Sequence, residues 1–171
     1  LAVGQTLYRD RIGWDADRSF AHVAMLMGTP YLLLVGTRQP WRSLAEFVAA
    51  ARAAPERIAY GTSGVGSMPH LVALRFSEAA GIRLTHVPYR GGAQASTDLI
   101  AGVLPSIIDS LTAASANIRA GSQRALVHSY PDRIAGFDDI PSFRELGYPD
   151  LVVDGWAGLA APAGTPRPVL E

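Results

Sequence analysis

Cysteine is absent from all 171 residues. The chain therefore has no disulfide framework, no thiolate metal site and no cysteine nucleophile, and the absence fits the cytosol as well as an oxidising compartment. An excess of charge of either sign is also missing, with 15 basic and 15 acidic residues. Such a balance argues against a general nucleic-acid or membrane-surface role, which draws on surplus basic charge, but leaves room for a local positive pocket. No apolar run approaches the roughly 20 residues of a membrane span, so direct membrane insertion is not expected. The four histidines (22, 70, 86 and 128) lack zinc-like spacing, and neither a metal nor a cofactor is expected. The three tryptophans are scattered and offer no stacking platform for nucleic acid. The chain starts at Leu1 without Met or a signal-peptide pattern and ends on "RPVLE", so a fragment or excised domain is expected.

What is present is apolar residue in quantity, 49% of the chain, which excludes disorder and suffices for one domain with a real core. Apolar runs alternate with helical patterns. "YLLLVG" (31–36), "RIAYG" (57–61), "RLTHVPY" (83–89), "PSIIDS" (105–110), "RALVHSY" (124–130) and "LVVDGWAGLAAP" (151–162) read as strands. Between them, 43–55, 67–81, 92–102 and 112–121 read as helices, and "SFRELG" (142–147) as a short one. Ser43 with Glu46, and Ser142 with Glu145, have the spacing of capping boxes. Ser67 is placed as an N-cap, and Gly81 and Gly102 as helix stops. The β-α-β-α-β-α-β order with short connections predicts an α/β fold, a mostly parallel sheet with flanking helices. Ligands of such sheets collect outside the carboxyl ends of the strands.

One such end is "YGTSGVGSMPH" (60–70). It is not a nucleotide loop: Ser67 stands where a Walker motif needs Lys, and glycines at 61, 64 and 66 miss the dinucleotide spacing. It is not a nucleophile elbow either, since Val65 stands where glycine is required. A triad of Ser63, His70 and Asp109 is conceivable, but His70, just inside a helix, reads better as a local hydrogen-bonding or packing residue. Anion capture is the remaining chemistry. A helix start leaves its first N–H groups unpaired and adds partial positive charge, while glycines let a ligand reach the backbone. A carboxylate held by neutral donors fits, and a well-capped turn without a ligand fits this loop equally. "YRGGAQAS" (89–96) repeats the device, and "DSLTAAS" (109–115) does so again with Asp109 at the strand end. Three such loops on one sheet edge favour capture. Asp109 is then placed to orient a hydroxyl or ammonium group, or to act as a cap.

Taken together, "LYRDRIGWDADRSFAHVAML", "YGTSGVGS" with His70, "THVPYRGGAQASTDLIAG", "IIDS", "RALVHS", "DDIPSFRELGYP" and "GWAGLAAPAGTP" resemble the tripartite tricarboxylate transporter substrate-binding proteins, the Bug family of solute receptors. The resemblance covers essentially the whole chain, in order. It implies a type II periplasmic binding fold, a periplasmic location and non-catalytic binding of a small carboxylated metabolite (a dicarboxylate, tricarboxylate, amino acid or aromatic acid). It also implies delivery of that metabolite to the membrane subunits of a tripartite transporter, or to a sensor. Residues 1–30 are then a remnant of a first domain with a crossing segment, 31–150 the second, ligand-binding domain, and 151–171 the returning strand, with a hinge near 28–31 and 155–158. The expected ligand set is Thr62, Ser63, Gly64, Gly66, Ser67 and His70 from one loop, Gly91, Gly92 and Ala93 from the next, and Asp109 at the side. Pro105 in "GVLPSIID" and the bulky "SMPH" leading to His70 depart from the family's usual pattern. Two other classes compete: the effector-binding domain of a transcription regulator with the same fold, and an acyl-transfer enzyme using Ser63.

Overall fold

The computed structural model describes residues 2–8 and 10–170. Leu1 and Glu171 at the chain ends, and Arg9 within the motif at 7–26, lie outside them. The elements run in the order α1 (Ala2–Leu7), β1 (Phe20–Gly36), α2 (Leu44–Ala53), β2 (Ala59–Thr62), α3 (Met68–Ala80), β3 (Thr85–Pro88), α4 (Gly92–Ala101), β4 (Ser106–Ser110), α5 (Leu111–Arg119), β5 (Gln123–His128), one 3₁₀ turn (Pro149–Leu151), β6 (Asp154–Pro162) and α6 (Arg167–Leu170). They divide into two compact units, one of residues 1–28 with 156–171, the other of residues 29–155.

In the larger unit the helices start and stop where side-chain chemistry directs. Ser43 caps α2 by accepting the Glu46 N–H at 3.2 Å. Glu46 reaches back at 2.6 Å to the N–H of Arg42 rather than of Ser43, so the box closes one residue early. Gly81 (φ 60°) and Gly102 (φ 81°) end α3 and α4 in the left-handed region that glycine tolerates best.

The sheet order is β3-β2-β4-β1-β5, and β6 pairs with β1. β2 is parallel to β3 and β4, whereas β1 is antiparallel to both β4 and β5. Four of these five strands thus share a direction, and β1 opposes them. The apolar run "YLLLVG" reads the same in either direction, so its periodicity carries no sign. Where the chain enters decides it: Tyr31 lies beside Ser110, at the carboxyl end of β4, and Val35 beside Ser106 at its start. β1 also begins eleven residues before the expected start at 31.

Alternation along β1 and β4 sends Leu33, Val35 and Ile108 into one core with Phe47, Phe76, Phe143 and Leu151. Leu32, Leu34 and Ile107 enter a second core with Ala95, Leu99 and Ile140. α2 and α3 therefore cover one face, and α4 and α5 the other. Each fully buried aliphatic or Phe side chain contributes roughly 1.5–3 kcal/mol.

The expected helix at 142–147 does not form. Both capping-box hydrogen bonds are made, Ser142 N–H to Glu145 Oε2 at 2.7 Å and Glu145 N–H to Ser142 Oγ at 3.2 Å. They close only a turn, because Gly147 turns to φ 89° and Pro149 follows. Ser142 meanwhile bridges to His128 beside β5.

Candidate functional site

The parallel strands deliver three helix starts to one edge. Thr62 ends β2 beside Pro88 of β3, and β4, paired to β2 on its other side, ends at Ser110. The main chain ties two of these ends together: Tyr89 N–H donates to Thr62 O at 3.0 Å.

The β2–α3 loop is braced from within. Gly64 (φ 124°) and Gly66 (φ 76°) supply backbone shapes that side-chain-bearing residues resist. The Gly64 N–H donates to Thr62 Oγ1 at 3.2 Å, and the Gly66 N–H to His70 Nδ1 at 3.1 Å. Ser67 does not cap α3 with its side chain; its hydroxyl donates to Gly64 O at 2.7 Å. The amides of Gly64 and Gly66 are thus engaged by their own loop, and these glycines act through conformation. The first turn of α3 holds further N–H groups without intrahelical acceptors, those of Met68 and His70, while Pro69 has none.

His70 also stacks on His86 of β3, with ring centroids 4.1 Å apart and planes 17° from parallel. Tyr60 also stacks with His86, at a centroid distance of 5.0 Å. His86 Nε2 lies 2.7 Å from Thr62 Oγ1. Burial holds the His70 pKa below the ordinary imidazole value; burial first, then the proximity of His70, does the same for His86.

The β3–α4 loop presents Gly91 as N-cap and Gly92 and Ala93 as the first helical residues. Asp109, near the end of β4, is packed directly against this start: a Cβ on Gly92 would lie 2.7 Å from Asp109 Oδ2, so a larger residue there would have to displace that carboxylate. Asp109 Oδ1 accepts the Ser110 N–H at 2.7 Å. Burial raises the Asp109 pKa, and that amide partly offsets the rise. Beside it, a hollow of about 360 Å³ between α4 and α5 is lined by Ala93, Ser96, Thr97, Asp109 and Asn117, among others.

The structure thus brings Gly92 to Asp109, His70 to Gly66, and Thr62 to the β3–α4 loop. Ser63 stands half-buried beyond the end of β2. Two participants had no signal in the motifs. Tyr89 locks the β3–α4 loop, its hydroxyl donating to Asp98 Oδ2 at 2.7 Å; burial and that carboxylate push its pKa up to about 12. His86 braces Thr62 from a neighbouring strand, a contact set by sheet register rather than by sequence distance. Among the described residues no cluster of three or more metal-ligating side chains occurs.

A mixed α/β sheet with helices on both faces, whose parallel strands carry three helix starts to one edge, is the architecture of a periplasmic binding protein domain. The chain belongs to the tripartite tricarboxylate transporter family of receptors, whose family model matches residues 3–171. This is a family of solute-binding, non-catalytic proteins. A UPF0065 protein from the tcbD-tcbE intergenic region of Pseudomonas sp. is 35% identical over 172 residues, covering 100% of this chain and 51% of the relative. Among solved structures, one described as a periplasmic transporter superposes with a TM-score of 0.94 at 31% identity, over 98% of this chain and 56% of the other. R. palustris Rpa4515, solved with adipate, gives a TM-score of 0.89 at 32% identity, over 94% of this chain and 54% of the other. The chain spans about half the length of the curated relatives it matches.

Proposed function

We propose that this chain is part of a periplasmic receptor that holds a small carboxylated metabolite and passes it to the membrane subunits of a tripartite transporter. The observation that carries the reading is the pair of helix starts, α3 and α4, whose loops are joined on one sheet edge by the Tyr89–Thr62 hydrogen bond. Unpaired first-turn N–H groups there supply partial positive charge for a carboxylate without any fixed cation. In this reading Ser63 and the first-turn amides of both helices meet the ligand, with Gly91, Gly92 and Ala93 allowing close approach. Thr62, Gly64, Gly66, Ser67 and His70 hold the first loop in shape. Asp109, kept beside the start of α4, selects for a ligand with a hydroxyl or ammonium group in reach. Residues 31–150 act as the ligand-holding domain, 1–30 and 151–171 belong with the other, and closure hinges near 28–31 and 155–158. That Rpa4515 was solved with adipate supports a dicarboxylate as the ligand class.

The test is a thermal-shift screen of the complete receptor with adipate and a panel of mono-, di- and tricarboxylates. A true ligand at a hundredfold excess over its Kd stabilises by about 2.7 kcal/mol. No shift with any acid would remove the reading. Ser63→Ala should weaken binding modestly; a loss of turnover with retained binding would instead revive the acyl-transfer alternative. Neither that alternative nor the regulator reading has an observation in its favour, since the matching family is one of receptors.

A further inference from the structure

His70 and His86 come from different elements, α3 and β3, yet share one stack with Tyr60 at the root of the β2–α3 loop. Each imidazole has its own hydrogen bond to that loop, His70 Nδ1 accepting the Gly66 N–H at 3.1 Å and His86 Nε2 meeting Thr62 Oγ1 at 2.7 Å. The His70 bond fixes the ring's state: an Nδ1 that accepts carries no proton. We infer that the stacked pair is a proton-sensitive clamp that shapes the β2–α3 loop, so that protonation loosens the loop from which a carboxylate would be held. His70 and His86 are then positioning residues. The inference rests on the proposed binding role of this loop for its functional consequence, but not for its test.

Protonating Nδ1 turns an acceptor into a donor that faces the Gly66 N–H. Two donors then oppose each other, and the Gly66 end of the turn must open. Both rings cannot carry charge at a centroid separation of 4.1 Å without strong repulsion, so the first proton taken up decides the outcome. The titratable group facing the pair from β2 is the Tyr60 phenol, itself buried enough to stay neutral. Burial lowers the His70 pKa, and burial first, then His70, lowers that of His86. The clamp has the opposite sign to a direct contact, because a charged His70 touching an anionic ligand would tighten binding in acid.

Amide hydrogen exchange resolved by residue tests this without any ligand. Gly102, whose N–H bonds Leu99 O at the end of α4, is the internal reference. After correction for intrinsic rates, protection of Gly66 relative to Gly102 should fall as the pH drops from 8 to 5, by a factor of ten for each unit by which the closed loop lowers the His70 pKa. His70→Gln, which keeps an acceptor but cannot titrate, should hold the ratio constant across that range. His86→Gln should shrink the fall. Nitrogen chemical shifts at pH 8 should show an unprotonated His70 Nδ1. A ratio independent of pH in the unmodified protein, or an unchanged fall in His70→Gln, would overturn the clamp. If exchange behaves as expected while no carboxylate binds, the receptor reading fails alone; the reverse result sinks the clamp alone.

Discussion

The two compact units are built from similar residues and treat them differently. In residues 29–155, Phe47, Phe76 and Phe143 are at most 1% exposed, and apolar side chains alternate into cores on both sheet faces. In residues 1–28 with 156–171, Met25 is 74% exposed, Leu26 66%, Trp156 65% and Leu159 54%. Met25, Trp156 and Leu159 instead line an open hollow of about 320 Å³ together with His22, Ala24, Gly158 and Ala160. Apolar composition alone therefore does not make a core. The larger unit closes its helices over its strands; the smaller leaves large apolar side chains of its strand segments, Met25, Leu26, Trp156 and Leu159, exposed. An exposed apolar patch of this kind sets the smaller unit's surface apart from that of the larger unit.

The contrast can be broken most forcefully at Phe76. Its ring meets Phe47, Phe143 and Tyr148, and it is fully buried. Phe76→Ala should destabilise by about 3–5 kcal/mol in urea unfolding, as the transfer and cavity terms add. A cost under about 1 kcal/mol would mean that this face of the sheet is as loosely packed as the smaller unit.

A smaller effect is expected at Gly61, in the middle of the candidate site's first strand. A Cβ there would meet Leu104 Cδ2 at 2.5 Å and Ile107 Cγ2 at 3.2 Å. Gly61→Ala should cost about 1–3 kcal/mol through overpacking, measurable by the same unfolding curve. Gly13, in the smaller unit, has no atom near its Cβ position, and its Ala variant should be near neutral.

Titration sharpens the comparison further. His70, His86 and His128, all in the larger unit, have pKa values lowered chiefly by burial. The folded state then binds fewer protons than the unfolded one between the lowered values and the ordinary imidazole value of 6.5. Stability is fully present above pH 6.5 and is lost as pH falls through that window. Asp109 acts in the other direction. Its raised pKa means that ionisation works against the fold, so stability falls as pH rises from the ordinary carboxyl value through the raised one. Asp109→Asn should therefore raise the thermal midpoint at neutral pH. If it lowers the midpoint instead, Asp109 is an anchor of the fold rather than a group held in place for a ligand.

Much of this was legible in the sequence, and the parts that were not share a cause. Capping at Ser43, the helix stops at Gly81 and Gly102 and the two-sided apolar runs are local signals, read within a few residues. The direction of β1 is not local, because an apolar run has no polarity and the point of entry into the sheet decides it. The box at Ser142 and Glu145 shows the converse, with a local signal satisfied in full while Gly147 and Pro149 deny it the length of a helix. At the candidate site the loops were visible as glycine and hydroxyl clusters. Their use was hidden: that His70 and His86 stack, or that Asp109 packs on Gly92, follows from register and helix placement.

The smallest effect is the most discriminating. Trp156 begins the second stretch of the smaller unit, is 65% exposed and lines its apolar hollow. A large aromatic normally contributes several kcal/mol when its area is removed from water. Here little of that area is removed, so Trp156→Ala should change unfolding stability by no more than about 0.5 kcal/mol. The same substitution should visibly reduce the binding of an apolar fluorescent dye, since it strips the wall of the hollow. Unfolding stability and dye binding respond in opposite ways to burial. A costly Trp156→Ala with unchanged dye binding would place this ring in a true core and erase the distinction between the units. A silent variant that loses dye binding would identify the hollow as a surface waiting for cover.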